Sequence, residues 1–181
     1  MADYCTLADV RIYLNINSAN SDTLISLLIT SASAYIDNWT NRTFSTVSNT
    51  IKMNGNGSNI MMLKDYPIIS VSSVKVGNIS YQQSDGNSVG YVLGDYAIYL
   101  IGDKFTKGFV NVSITYTSGF ASVPADIKQV AIELVAYKFK ESERVGISTK
   151  TMAGEVISYD LKDIKEHVKN ILNNYIRVVP L

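Results

Sequence analysis

Tyr116-Thr-Ser-Gly-Phe-Ala-Ser-Val-Pro-Ala-Asp-Ile-Lys-Gln129 is the stretch on which the fold turns. Upstream of it Val110, Val112, Ile114 and Tyr116 alternate with polar residues, the period of a half-buried strand. Downstream, Ile127, Val130, Ala131, Leu134 and Val135 recur at helical spacing. Between the two, Ser118-Gly119 ends the strand, Pro124 keeps Val123 extended and suits a first helical turn, and Asp126 sets a negative charge near the positive helix start. A β layer is handed back to a helical one within a few residues.

Toward the N-terminus, the period of two persists from Phe44 to Tyr116. Turn residues interrupt it at Asn54-Gly55-Asn56-Gly57, Gly77-Asn78, Asp85-Gly86-Asn87, Gly94-Asp95 and Gly102-Asp103. Short strands are expected over 50–53, 60–63, 68–76, 91–93, 96–101 and 109–117, a spacing that suits a small antiparallel sandwich or barrel. Ahead of them Thr6 and Asp9 have the spacing of a capping box, and Leu7, Val10, Ile12 and Leu14 fill a short helix ending near Asn15. Ser21 or Asp22 opens a second helix that reaches about Asn41. Leu24, Leu28, Ala32, Tyr35, Ile36 and Trp39 share one of its faces, with Trp39 read as core, and Ile25 and Ile29 widen the stripe. A stripe that broad suits a helix packed on more than one side.

Toward the C-terminus, the helix starting at Pro124 runs to about Arg144. Residues 145–160 carry Gly146, Gly154 and several Ser and Thr without a sustained period, and are expected to form a long loop or a mobile hairpin. A last helix begins near Leu161 with Ile164, Val168, Ile171, Leu172 and Tyr175 along one side, and Ile176-Arg-Val-Val-Pro-Leu181 follows as an apolar tail. The fold class is therefore α+β, a mostly helical bundle of about four helices with an inserted small antiparallel β lobe, sandwich or barrel-like. It is read as a single protomer: N-terminal helices 6–43, β lobe 44–120, helix 121–144, loop 145–160, and C-terminal helix and tail 161–181.

A chain of 181 residues is long enough to bury roughly 70% of its unfolded surface in one domain without disulfides or metals. Lys plus Arg and Asp plus Glu number 16 each, and residues 125–181 hold nine positive and eight negative charges, so neither half is basic. That balance disfavours tight binding of DNA through its phosphates, each of which needs a nearby cation. Cys5 is the only cysteine, which excludes an intrachain disulfide and a cysteine-built metal site and points to a reducing cytoplasm. The longest apolar runs are far shorter than the ~20 residues of a membrane span, and no leader pattern is seen, so neither membrane crossing nor export is expected. The Asn-x-Ser/Thr triplets at Asn38, Asn41, Asn56, Asn78 and Asn111 are then accidents of an Asn- and Ser-rich composition.

The search for chemistry finds little. His167, the sole histidine, lies off the apolar side of the last helix and is read as a surface residue. Asp160, Asp163 and Glu166 fall three apart, a spacing a cation could use, but Lys162, Lys165 and Lys169 interleave with them and make a solvated face the better reading. Gly55-Asn-Gly57 lacks the later glycine and the following helix of a phosphate loop and reads as a hairpin turn. Asp65-Tyr66-Pro67 is a strand entry. With no nucleophile beside a base, no metal cluster and no nucleotide loop, neither an enzyme nor a cofactor is expected.

Three blocks resemble the head-tail connector (adaptor) proteins of tailed bacteriophages and prophages. The first runs from Leu7-Ala-Asp-Val-Arg-Ile-Tyr-Leu14 through Asp22-Thr-Leu-Ile-Ser-Leu-Leu-Ile29 to Ala32-Ser-Ala-Tyr-Ile-Asp-Asn-Trp-Thr-Asn-Arg-Thr-Phe44. The second is Leu63-Lys-Asp-Tyr-Pro-Ile-Ile-Ser-Val-Ser-Ser-Val-Lys-Val76, and the third is the junction quoted first. The resemblance implies a virion neck protein made in the bacterial host cytoplasm. It would form a homo-oligomeric ring, dodecameric when assembled, beneath the portal protein, extending the channel and docking a stopper or tail-completion protein. Double-stranded DNA would pass through the lumen without specific binding. Family architecture and exposed apolarity together suggest portal docking by Tyr175, Ile176, Arg177, Val178, Val179, Pro180 and Leu181. They suggest contacts between protomers through Ile25, Ile29, Ile147, Val156, Ile157 and Tyr159. The alternative is a carbohydrate- or host-binding β module of a phage particle, motivated by Tyr81, Tyr91, Tyr96 and Tyr99, although alternating Tyr is commonly strand filling.

Overall fold

The computed structural model describes residues 2–142, 149–152, 155–158 and 164–177. The chain divides into two compact units, one of Met1–Arg42 with Val123–Val178, the other centred on Thr43–Ser122. Among the described residues helix and strand are near parity, so the protein is α+β with four helices and antiparallel sheets but is not mostly helical. The excess of strand has a plain source. The first and last strands of the β unit run longer than their turn-bounded apolar cores, and a strand of three residues was too short to show a period.

In the helical unit, α1 (Leu7–Leu14) is opened by Thr6, whose hydroxyl accepts from the Asp9 amide while the Asp9 carboxylate accepts from the Thr6 amide, at 3.2 and 2.9 Å. Asn15 closes it in the left-handed conformation. Asp9 also meets Lys128 of α3 (Ala125–Ser142) at 2.9 Å, which ties the first turn of α1 to the central helix. α2 (Asp22–Thr40) buries Ile25, Ile29, Ala32, Ser33, Ile36 and Thr40. Its buried stripe is thus turned from the expected one: Leu24 is exposed, and Trp39 is only half-buried. The hydroxyls explain the shift. Ser33 and Thr40 donate to the carbonyls of Ile29 and Ile36, at 2.9 and 2.8 Å, so two polar side chains enter the core without losing a partner. α3 is the enclosed helix. Ile127, Val130, Ala131, Ile132, Leu134, Val135, Ala136 and Phe139 are buried around much of its circumference, and it contacts α1, α2 and α4 (Glu166–Asn174).

In the β unit, one sheet has the order β1 (Val47–Gly55), β7 (Gly108–Ser118), β3 (Ile68–Val76), β4 (Ile79–Tyr81). The other has the order β2 (Ile60–Met62), β6 (Ala97–Ile101), β5 (Gly90–Leu93), and every strand pair in both is antiparallel. Ile114 sits between Ile51 and Val74 in the register. Inward residues of both sheets, among them Val74, Ile98, Leu100, Val112, Ile114 and Tyr116, form one core with Phe105, the arrangement of a small sandwich. At the strand end, Gly119 has φ 110, and a Cβ there would stand 2.2 Å from the Ser45 carbonyl oxygen, so the sharp exit from β7 requires glycine. In the stretch 145–160, residues Thr149–Met152 and Glu155–Ser158 pair as an antiparallel hairpin, β8 and β9.

The Asp9 cluster yields a prediction. The Thr6 hydroxyl foremost, and then Lys128, hold the Asp9 carboxyl down at about 2 from an ordinary 3.8. A depressed carboxyl contributes stability above its unfolded value and loses it as pH falls through the folded one. Asp9→Ala is therefore expected to cost about 1 kcal/mol at neutral pH. The gap to wild type should close as pH drops from about 4 toward 2, as read by denaturant unfolding across that range.

Candidate interaction surfaces

Among the described residues the side chains that chemistry would need do not converge. His167 is exposed, and its Nε2 lies 2.7 Å from Glu133 Oε2 on α3. Glu133 also accepts from Gln129 Nε2 at 3.1 Å. Burial pushes the Glu133 carboxyl up, but the hydrogen bonds from Gln129 and His167 outweigh it and leave the group below its ordinary value. This is a structural clamp between α3 and α4 with no nucleophile in it. Cys5 is buried, and burial foremost, with Asp9 and Asp3 nearby, raises its thiol to about 11, which makes it unreactive. Among the described residues no group of three His, Cys, Asp or Glu is placed to hold a metal ion, and no helix is long and apolar enough to cross a membrane. Asp160, Lys162 and Asp163 lie outside the described residues.

The residues expected to contact partners fall into two environments. Ile25 and Ile29 are interior, 0% and 3% exposed, so they pack within their own unit, and the reading of them as contacts to a neighbour is corrected. The broad stripe on α2 is filled by the protomer itself. The exposed large apolar residues of α1 and α2 are instead Ile12, Tyr13, Leu24 and Leu27. Val156 and Ile157 lie on β9, whereas Ile147 and Tyr159 lie outside the described residues.

The expected portal-docking segment begins as part of the helical body. α4 buries Val168 and Leu172 and is fastened at its C-terminal end by three hydrogen bonds. Trp39 Nε1 donates to Asn173 Oδ1 at 3.0 Å, the Tyr175 hydroxyl to Asp126 Oδ2 at 2.7 Å, and the Arg177 amide to the Thr40 carbonyl at 2.9 Å. The Asp126 carboxylate foremost, then burial, pushes the Tyr175 phenol up to about 12. Tyr175 and Arg177 are thus anchored, Ile176 between them is exposed, and Val178, Val179, Pro180 and Leu181 lie outside the described residues.

One feature escaped the sequence reading. Val110 does not continue the inward face of β7: its φ is 51, and it is exposed. The register passes from Met53 opposite Val112 to Gly55 opposite Gly108, so Phe109, Val110 and Asn111 face Asn54 alone, a bulge of the special kind with three residues against one. A β-branched residue in the left-handed region costs about 1–2 kcal/mol, and side-chain amides hold it there. Asn54 Oδ1 accepts from the Val110 amide at 2.7 Å, while Asn111 accepts from the Gly55 amide and donates to the Thr106 carbonyl, both at 2.8 Å. Gly55 is obligatory, because a Cβ would fall 1.8 Å from the Thr106 oxygen. The bulge presents Phe109 at 88% exposure, the largest value among the large apolar side chains described. Gly108 next to an aromatic was the only available signal, and a strand start explained it equally well.

These features define an α+β protein whose described residues expose several large apolar side chains and bring no reactive groups together. A family model for head completion protein matches residues 3–178, and the chain belongs to that family. The family is a structural component of phage virions and not a class of enzyme. In fold the chain is similar to the neck of an empty GTA particle computed with C6 symmetry. That likeness has 16% identity and a TM-score of 0.63, and it covers 97% of this chain and 90% of that one. It is also similar to the neck of a native GTA particle computed with C12 symmetry, with 16% identity, the same coverage and a TM-score of 0.60. No curated protein matches the chain.

The bulge gives a prediction. Val110→Gly relieves left-handed strain of about 1 kcal/mol and gives back part of it in glycine's entropy, so urea unfolding should show unchanged or slightly raised stability. Asn54→Ala removes the amide's acceptor and should cost about 1 kcal/mol. A Val110→Gly variant markedly less stable than wild type would mean that this backbone carries no strain.

Proposed function

We propose that the protein is the protomer of a head-tail connector at the neck of a phage or prophage particle. Copies of it form a ring beneath the portal, extend the DNA channel and offer a surface to the next neck or tail component. The observation that carries this reading is the match of the head completion protein family across residues 3–178. Physics adds support. A ring needs head-to-tail contacts between unlike patches, closing when the rotation per subunit divides a full turn. This chain offers exposed apolar side chains on both the helical and the β unit, among them Ile12, Tyr13, Leu27, Phe109 and Ile176. Its formal net charge of zero suits a lumen through which DNA must slide without being held.

The alternative of a sugar-binding β module loses its motive, because Tyr81 and Tyr91 are buried in the sandwich core and, of the four tyrosines, only Tyr96 is exposed. Stacking on a sugar needs an accessible ring face.

Portal attachment is assigned to the C-terminal tail, with the hydrogen bonds of Tyr175 and Arg177 deciding where to cut. A chain ending at Arg177 keeps those bonds, whereas one ending at Asn174 would lose them together with the tail. Negative-stain images of the full chain mixed with portal rings should show capped portals. The chain ending at Arg177 should melt within about 2 °C of wild type but leave portals bare. Equal capping by the shortened chain would remove the tail from the portal contact, and absence of rings or caps with the full chain would overturn the connector reading.

A further inference from the structure

The protruding ring of Phe109 has a counterpart elsewhere on the same chain. On the helical unit a recess of about 180 Å³ lies against α1, α3 and α4, with Leu134, Tyr137, Val168 and Tyr13 among its walls and Glu133, Lys140 and Lys165 also lining it. Leu134 and Val168 are buried, Tyr137 is half-buried, and both lysines are exposed. An apolar cavity of about 150 Å³ is enough to take a benzene ring.

We propose that Phe109 of one copy seats in the recess between α3 and α4 of the next copy and is an anchor of the contact between protomers. This rests on the ring reading above. The argument for a second copy as the occupant is self-complementarity of the heterologous kind. A head-to-tail ring needs a projecting patch and a receiving patch that differ and lie on the same chain, and this chain has one of each. The tip is also stiffened in advance. The left-handed Val110, the Asn54 and Asn111 amides and the obligatory Gly55 fix the loop, so little conformational freedom is lost when Phe109 docks. An unengaged loop tip would have no need of such over-determination.

The test uses the full chain with a photoreactive benzoylphenylalanine in place of Phe109, irradiated under ring-forming conditions and mapped by mass spectrometry. Cross-links to Leu134, Tyr137 or Val168 of another copy are expected. Cross-links confined to portal or tail protein, or to other surfaces, would overturn the proposal. In parallel, Phe109→Ser, at an exposed site, should leave the melting temperature near wild type. It should raise the concentration for half-assembly about thirtyfold, while Phe109→Tyr stays near wild type and Phe109→Leu falls between them. Rings that form equally well with Phe109→Ser would refute this contact and leave the connector reading standing. A wild-type chain that never self-associates, alone or on portals, would remove both.

Discussion

The enclosure of α3 is the constraint on which the rest of the molecule depends. A helix with apolar residues around much of its surface cannot stand at the rim of a protein, so other elements must cover it. Here α1 and α2 come from the start of the chain and α4 from near its end, with the whole β unit between the first pair and α3. The insertion must therefore bring the chain back to the helical unit. Pro124 and Asp126 at the beginning of α3, and Gly119 at the end of β7, are the local chemistry of that return. At nine residues, α4 is below the roughly 12–15 at which an isolated helix becomes even marginal in water. Its helicity follows from the burial of Val168 and Leu172 against the neighbouring helices and from the hydrogen bonds made by His167, Asn173 and Tyr175.

Much of this was legible in the residues, and the failures have physical causes. The Thr6–Asp9 capping box, the β7 to α3 junction and the span of β3 stand where their local chemistry indicates, because caps, prolines and strict alternation act over a few residues. The phase of α2 was misread because Leu24 and Leu27 are apolar yet outward, while Ser33 and Thr40 are polar yet inward. Hydropathy has no means of registering a hydroxyl satisfied by the carbonyl one turn back. β4 was invisible because Ile79-Ser-Tyr81 is too short to show a period after the Gly77-Asn78 turn.

The interaction surfaces were less legible than the fold. Ile25 and Ile29 look like surplus apolarity in a one-dimensional reading and prove to be this unit's own filling. Phe109 and Val110 look like the opening of a strand and prove to be a bulge whose backbone is held by two asparagine side chains. The cause is common to both. Whether an apolar residue serves the core or a partner depends on contacts made across tens of residues, as between Asn54 and Val110, and such contacts leave no local spacing to count.

The base of the β unit carries a consequence of its own. Val47 pairs with Ser118, the Thr46 hydroxyl donates to the Phe120 carbonyl at 2.9 Å, and Phe44 stacks on Phe120 with ring centroids 5.8 Å apart. The chain therefore enters and leaves this unit through one stapled doorway. A module closed at its own neck behaves as a cassette. Its hairpins can change length without disturbing how the chain enters and leaves it, because the strands are already joined at that doorway.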